Sequence, residues 1–363
     1  MHGRVSHSGT TSPATVFRQL GKQHARISWS YDSIFKKPLA SDITKRLHWV
    51  YRHLQTGGYT DDRHSLASEW FLDNYHVLTD AAGVSRECLV SDLYGHRPDV
   101  GDASRDRKPR VVLLACELIA ASELQIDEQV LHSALSAYQE HASLTVAEIW
   151  ALPIMLRLIL LSTCLSSMAR LLPEQFSPND DVLQGCAHFD LEEETIISRA
   201  IHALRLLAAT DWNVFFDSVS RLEAELTKDP AGVYVKMDFR TRDRYRKVIE
   251  EIAWQTGDTE IDTARHVLTT AGRAPPADVR RRHIGYYLID RGRSDIECAL
   301  GFRPRGAERM RRLIRKHATS WYLSCIALAV SVFMFAPLWL LARDKPPLVT
   351  WLVLAFLALV PAW

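Results

Sequence analysis

The stretch TVAEIWALPIMLRLILLSTCLSSMARLL, residues 145–172, decides the fold. By hydropathy its run from Ile149 to Leu172 is a membrane span. By its charges it is the core helix of a folded domain. Arg157 stands in the middle of the run, Pro153 lies before it and Arg170 follows. A central arginine costs ~2.5–3.5 kcal/mol on the insertion scale. Thr145-x-x-Glu148 also spells a capping box, the start signal of an ordinary helix. The stretch therefore predicts a buried helix in which Arg157 needs a buried or half-buried acidic partner.

Working outward, the chain stays helical in pattern. Ile43, Leu47, Val50 and Leu54 follow helical spacing, with Ser41 as a cap and Gly57-Gly58 as the stop. Ser65 caps a segment carrying Trp70, Phe71, Tyr75 and Leu78, and residues 84–110 read mostly as loop. Val111–Glu123 is a strongly apolar helix, and Asp127 opens another. Ile196 to Leu207 and Asp211 to Leu226 continue the pattern, and Thr259 opens a helix that stops at Gly272. Residues 1–38 are polar and aperiodic and are expected to be a disordered tail. No run of alternating strands appears, so residues 39–318 predict an all-α domain.

Composition sets limits. At 47% hydrophobic residues a sizeable core is available, and a net charge of +1 argues against a protein built for DNA. Cys88, Cys116, Cys164, Cys186, Cys298 and Cys325 form no C-x-x-C pair, which suggests reduced thiols. No apolar core follows the first Met, as a secretory signal would require. Near the end, Trp321–Ala342 runs without a charge. That length spans a hydrocarbon layer of ~30 Å. Residues 348–363 are a second, shorter apolar run, so a transmembrane helical hairpin is expected. Arg303, Arg305, Arg309, Arg311, Arg312, Arg315 and Lys316 precede the first span, against Glu308 alone. The positive-inside bias places residues 1–317 in the cytoplasm, with anionic lipid headgroups as partners.

Catalytic spellings are scarce. G-x-G-x-x-G, the P-loop, G-x-S-x-G and H-E-x-x-H are all missing. Asp73 and His76, in LDNYH, share a helix face and could orient an imidazole or form half a metal site; a local hydrogen bond is the plainer reading. Asp61-Asp62 and Asp180-Asp181 read as loop or cap residues. Asp238 and Asp243 complete the least poor set for an acid/base pair. The stretch DPAGVYVKMDFRTRDRYRKVIEE, 229–251, mixes six basic and five acidic residues. Asp238–Arg242, Asp243–Lys247, Arg246–Glu250 and Lys247–Glu251 are i,i+4 pairs worth ~0.2–0.5 kcal/mol each on an exposed helix. The interleaved acids repel phosphates and exclude nucleic acid as a partner. The apolar VYVKMDF portion must pack on something.

DPAGVYVKMDFRTRDRYRKVIEEIA (229–253) resembles the region ahead of the membrane helices in cyclic beta-1,2-glucan synthases. So do WFLDNYHVL (70–78), ACELI (115–119), AYQEHASLTVAEIWALPIMLRL (137–158) and HIGYYLIDRGR (283–293), in the same order. The resemblance covers roughly residues 66–360. The motif residues it marks are Asp73, Asn74, Tyr75, His76, Pro153, Arg157, Asp229, Pro230, Gly232, Tyr234, Met237, Asp238, Arg242, Asp243, Arg244, Tyr245, Gly285, Tyr286 and Tyr287. The resemblance implies a large bacterial inner-membrane enzyme. Its glycosyltransferase domain polymerises glucose from UDP-glucose, with a divalent metal, and a phosphorylase-like domain controls chain length. The transferase motifs have no counterpart before residue 363, so no catalytic, cofactor-binding or metal-binding residue carries over. The expected role is the N-terminal scaffold and membrane anchor, which docks on the transferase domain of the same or a longer chain. The alternative is a stand-alone membrane-tethered helical interaction protein.

Overall fold

The computed structural model describes residues 12–27, 29, 30, 39–56, 62–90, 99, 100, 109–172, 189–303, 306, 309, 310, 313, 314 and 317–343. Two compact units divide the chain, residues 1–301 and 302–363. Among the described residues, regular structure in both is helical. The exception is a short antiparallel ladder, β1 (Trp29–Ser30) against β2 (Asp99–Val100).

The first unit is assembled around α7, Val146–Leu171. Around it lie α2 (Leu39–Gln55), α3 (Asp62–Asp73), α4 (Tyr75–Val90), α5 (Arg110–Ala121), α8 (Glu193–Ala209) and α11 (Phe239–Thr256), all of which touch it. Packing on every side explains why α7 is apolar on every side. Its most apolar window is 78% buried, so the expected core helix is what forms. The capping box is real. The Thr145 Oγ1 accepts the Glu148 amide at 3.2 Å, and a Glu148 carboxylate oxygen accepts the Thr145 amide at 2.9 Å.

The charges of α7 are each accommodated. Glu148 receives a bidentate pair from buried Arg110, with Arg110 Nε donating at 2.6 Å. Among its contacts, Arg157 donates to the carbonyls of Leu207 (2.6 Å) and Pro153 (3.5 Å) and lies 5.9 Å from the Trp212 ring centroid. Leu207 lies in the last turn of α8, where the helix dipole favours a cation. Arg170 donates to Glu193 at the other end of that helix, at 2.5 and 2.8 Å.

Several expectations need correction. Residues 13–24, assigned to a tail, form α1 (Pro13–His24), whose Val16 and Phe17 are buried. It packs closely on α6 (Glu128–Gln139). A Cβ at Gly21 would lie 2.5 Å from the Tyr138 carbonyl oxygen, so only glycine permits this approach. Helix α4 runs to Val90, into the stretch read as loop. Ser41 and Ser65 sit inside α2 and α3 rather than capping them. The Asp211–Leu226 segment is two helices, α9 (Trp212–Val219) and α10 (Arg221–Leu226), because Ser220 caps the second. Cys164, Cys298 and Cys325 are free, but Cys116 is disulfide-bonded, against the expectation of reduced thiols.

Beyond α11 come α12 (Glu260–Gly272), α13 (Val279–Arg282), α14 (Gly285–Leu288) and α15 (Arg293–Ala299). Gly257, at φ +82°, ends α11 in the left-handed conformation. In the second unit α16, Ala318–Arg343, covers the run expected as the first span, which is helical. Its apolar side chains are exposed, among them Trp321, Tyr322, Leu328 and Phe333. The second arm of the expected hairpin, 348–363, lies outside the described residues, as do Asp61 and Asp180-Asp181.

Candidate functional site

The densest polar site in the first unit is built by the 229–253 stretch and by two segments remote from it. Asp229 follows α10, and its carboxylate is fully buried. Gly232, at φ +62°, turns the chain back so that the Val233 and Tyr234 amides donate to Asp229 Oδ2 at 3.0 and 3.2 Å. From 54 residues on, His283 Nδ1 meets the same oxygen at 2.9 Å, and the Ile284 amide donates to Oδ1 at 3.1 Å. Burial opposes ionisation of Asp229. The hydrogen bonds from His283, Ile284 and Tyr234 outweigh it and hold the carboxyl below its ordinary range. His283 Nε2 then faces the Tyr245 hydroxyl at 3.1 Å. A Cβ at Gly285 would lie 2.2 Å from that hydroxyl, so this glycine makes room for the Asp229–His283–Tyr245 chain.

A second cluster adjoins it through Tyr234. The Tyr234 hydroxyl donates to Glu223 Oε2 at 2.7 Å, and burial, then the Glu223 charge, push its pKa up. Glu223 also accepts from Arg242 at 2.5 Å and Arg246 at 2.8 Å. Asp217 takes both arginines from the other side, at 2.8 and 3.2 Å. Arg246 has no exposed surface. Its guanidinium lies against the rings of Phe216 and Phe239, 4.6 and 4.5 Å from their centroids. Its Nε and Nη2 make no hydrogen bond. Two aromatic faces compensate a cation that water cannot reach.

These contacts overturn three of the four helix-surface pairs read from sequence. Asp238 caps α11 through the Thr241 amide at 2.7 Å, while Arg242 and Arg246 turn to Glu223 and Asp217. Glu251 pairs with Arg293 at 2.9 Å instead of Lys247. Asp243–Lys247, at 3.0 Å, does form. Sequence reasoning missed Glu223, Asp217 and His283. The usable signal was two arginines one helical turn apart on the side of α11 that also carries Tyr245 and Ile249.

The remaining motif residues are dispersed. Asn74 bridges the Trp70 carbonyl and Arg205, and Tyr75 stacks on Tyr51 at 4.0 Å. Asp73 and His76 are exposed, and a turn at Asn74 separates their helices. Pro153 lies inside α7. Pro230 and Met237 are half-buried and Arg244 is exposed. Tyr286 and Tyr287 form an edge-to-face pair at 5.1 Å.

A recess of about 350 Å3 opens elsewhere in this unit, walled by His24, Arg110, Trp254, Glu250 and Glu260. Burial, then the neighbouring Glu250, push Glu260 up to about 8, so at neutral pH it holds a proton. Its carboxyl accepts the Val146 amide at 3.0 Å, at the start of α7. A groove of about 450 Å3 between α4 and α8 has Arg157 and Arg205 in its lining. Asp73, His76, Asp238 and Asp243 line neither. Among the described residues no three His, Cys, Asp or Glu side chains are placed to hold a metal ion.

The Asp229 hub joins the 229–253 and 283–293 stretches in space. The chain is similar to a glucan synthase. The relative is the cyclic beta-(1,2)-glucan synthase NdvB of Rhizobium meliloti (strain 1021), 23% identical over an alignment of 323 residues. The alignment takes in 69% of this chain and 11% of the synthase, so the chain corresponds to a small part of that protein. No protein-family model matches the chain.

Proposed function

We propose that the chain is the scaffold and membrane-anchoring part of a cyclic beta-1,2-glucan synthase-like glycosyltransferase, and that it does not itself catalyse transfer. The observation that carries this reading is the state of the motif residues. Asp229, Tyr234, Arg242 and Tyr245 are consumed by a closed network of hydrogen bonds and ion pairs, with no open nucleophile or acid/base pair among them. Such a network fixes the relative positions of α10, α11 and the 283–288 turn, which is what a docking platform needs. UDP-glucose and the divalent metal then belong to the transferase domain. Purified chain incubated with UDP-glucose and a divalent cation is expected to transfer no glucose; measurable glucan would sink the reading.

Helix α16 anchors the assembly in the bacterial inner membrane, with residues 1–317 cytoplasmic. Its exposed apolar surface and the basic residues before it support this. Reporter fusions ahead of residue 1 decide: a cytoplasmic reporter is expected to be active and a periplasmic one silent.

A stand-alone interaction protein is the second reading. Tyr234 and half-buried Phe239 anchor the VYVKMDF loop, but Val233 and Val235 remain exposed at 37% and 57%. If they face the transferase, Val235→Asp weakens co-purification with a separately expressed transferase domain. If it does not, a different partner is indicated.

A further inference from the structure

We propose that the recess at the start of α7 is a binding site for a small organic amine, held as its ammonium ion by Glu250 and Glu260. The site stands apart from the scaffold role and lies wholly within the first unit.

Elements far apart in the chain build the recess. Helix α1 reaches it with His24, the segment before α7 with Ser143 and Thr145, α11 with Glu250 and Trp254, and α12 with Glu260. Its volume, about 350 Å3, falls at the small end of the ~300–1,000 Å3 usual for ligand sites. The charges on its lining do not balance. Arg110 is spent on Glu148, through the bidentate pair, and on the Ser143 carbonyl at 3.0 Å. The carboxyls of Glu250, Asp258 and Glu260 are left without an ion pair among the described residues. Glu260 is only 8% exposed, and its two oxygens share one donor, the Val146 amide, at 3.3 and 3.0 Å. Half-buried Glu250 makes no hydrogen bond among the described residues. Lys247, one turn before it, pairs with Asp243 at 3.0 Å.

A cavity walled by buried acids, whose one arginine is already committed, is short of positive charge. Burial pushes both Glu250 and Glu260 above the ordinary carboxylate range, Glu260 to about 8 with the Glu250 charge adding to it. An ammonium ion brings the charge that lets both ionise, together with three hydrogen-bond donors. A hydroxyl ligand would leave the repulsion between them standing. Leu144, Ala253 and the Trp254 ring line the same recess and give an apolar surface to the carbon chain of an amine. Because Glu260 holds a proton at neutral pH, pairing it with an ammonium ion expels that proton to solvent. Glu250 from α11 and Glu148 from α7 disfavour its ionisation, Arg110 from α5 favours it, and His24 of α1 lines the same recess.

The test is titration calorimetry of the full chain in detergent micelles, with putrescine as probe, in two buffers of different ionisation enthalpy. Saturable binding with release of about one proton is expected, tightening by up to ~10-fold per unit from pH 6 to pH 8. Butane-1,4-diol has the same length and no charge, and is expected not to bind. Glu260→Gln keeps an acceptor for the Val146 amide; it is expected to weaken putrescine by ~10-fold or more and to end the proton release. Should that variant fail to fold, Glu250→Gln serves, with a loss of affinity of the same order. A flat putrescine titration, equal binding of the diol, or unchanged affinity in the folded variant overturns the proposal.

Discussion

Helices α7 and α16 each have 26 residues, and composition alone would send both into a bilayer. One is the centre of a protein core. The other presents Tyr322, Leu328 and Phe333 to its surroundings, at 66–69% exposure. What separates them is a few ionisable residues and where those find partners. Helix α7 carries Glu148, Arg157 and Arg170, each bonded to a neighbouring helix or to the segment before it. Trp321–Ala342 of α16 has no such residue. Neighbouring helices that supply counter-charges and carbonyls make a hydrophobic run a core element. Hydropathy sees only the run.

The contrast can be broken in order of expected effect. Glu148→Ala leaves Arg110 buried without its carboxylate and is expected to destabilise the first unit by ~3–5 kcal/mol in urea unfolding. A loss under ~1 kcal/mol would mean that the pair does not matter to the core. Leu328→Arg tests the other helix: membrane insertion weakens by ~2.5–3.5 kcal/mol, read by alkaline extraction, while the unfolding midpoint of the first unit stays put. A shift in that midpoint would erase the distinction. Thr145→Ala removes the cap of α7 at ~1 kcal/mol, measured the same way.

The core helix is coupled to pH through Glu260. Glu260, against the start of α7, ionises at 4.5 in the unfolded chain and at about 8 when folded. Between those values the folded state keeps a proton that the unfolded state has lost, so this group makes stability fall as pH rises. Glu260→Gln is expected to flatten that decline in thermal melts from pH 5 to pH 8. Asp229 acts in the opposite sense. Its contribution is present above its unfolded value of 3.8 and is lost as pH falls through its lower folded pKa. Lys247→Ala, at an exposed pair, should change stability by no more than ~0.5 kcal/mol.

What the sequence disclosed was local. Caps at Asp127, Thr145, Asp211 and Thr259 could be read because each bonds an amide two or three residues ahead. Helix α1 could not. It is polar overall, and it is held by Gly21 against Tyr138, more than a hundred residues away. The surface pairs of α11 failed for a related reason. An i,i+4 pair in water is weak, whereas Glu223 offers two arginines a water-poor carboxylate from another helix. The resemblance located the motif residues of this cluster, but its acids, Glu223 and Asp217, lie outside the quoted stretches.

The Asp229 hub also bears on how the chain is made. A ribosome delivers Asp229 well before His283 and Ile284, which stand 54 and 55 residues later. Until they emerge, that carboxylate has only the turn amides of Val233 and Tyr234 to accept from. Its burial is therefore a late event in synthesis, and any nascent chain stalled between 229 and 283 holds an open, hydrated end where the finished protein has a sealed one.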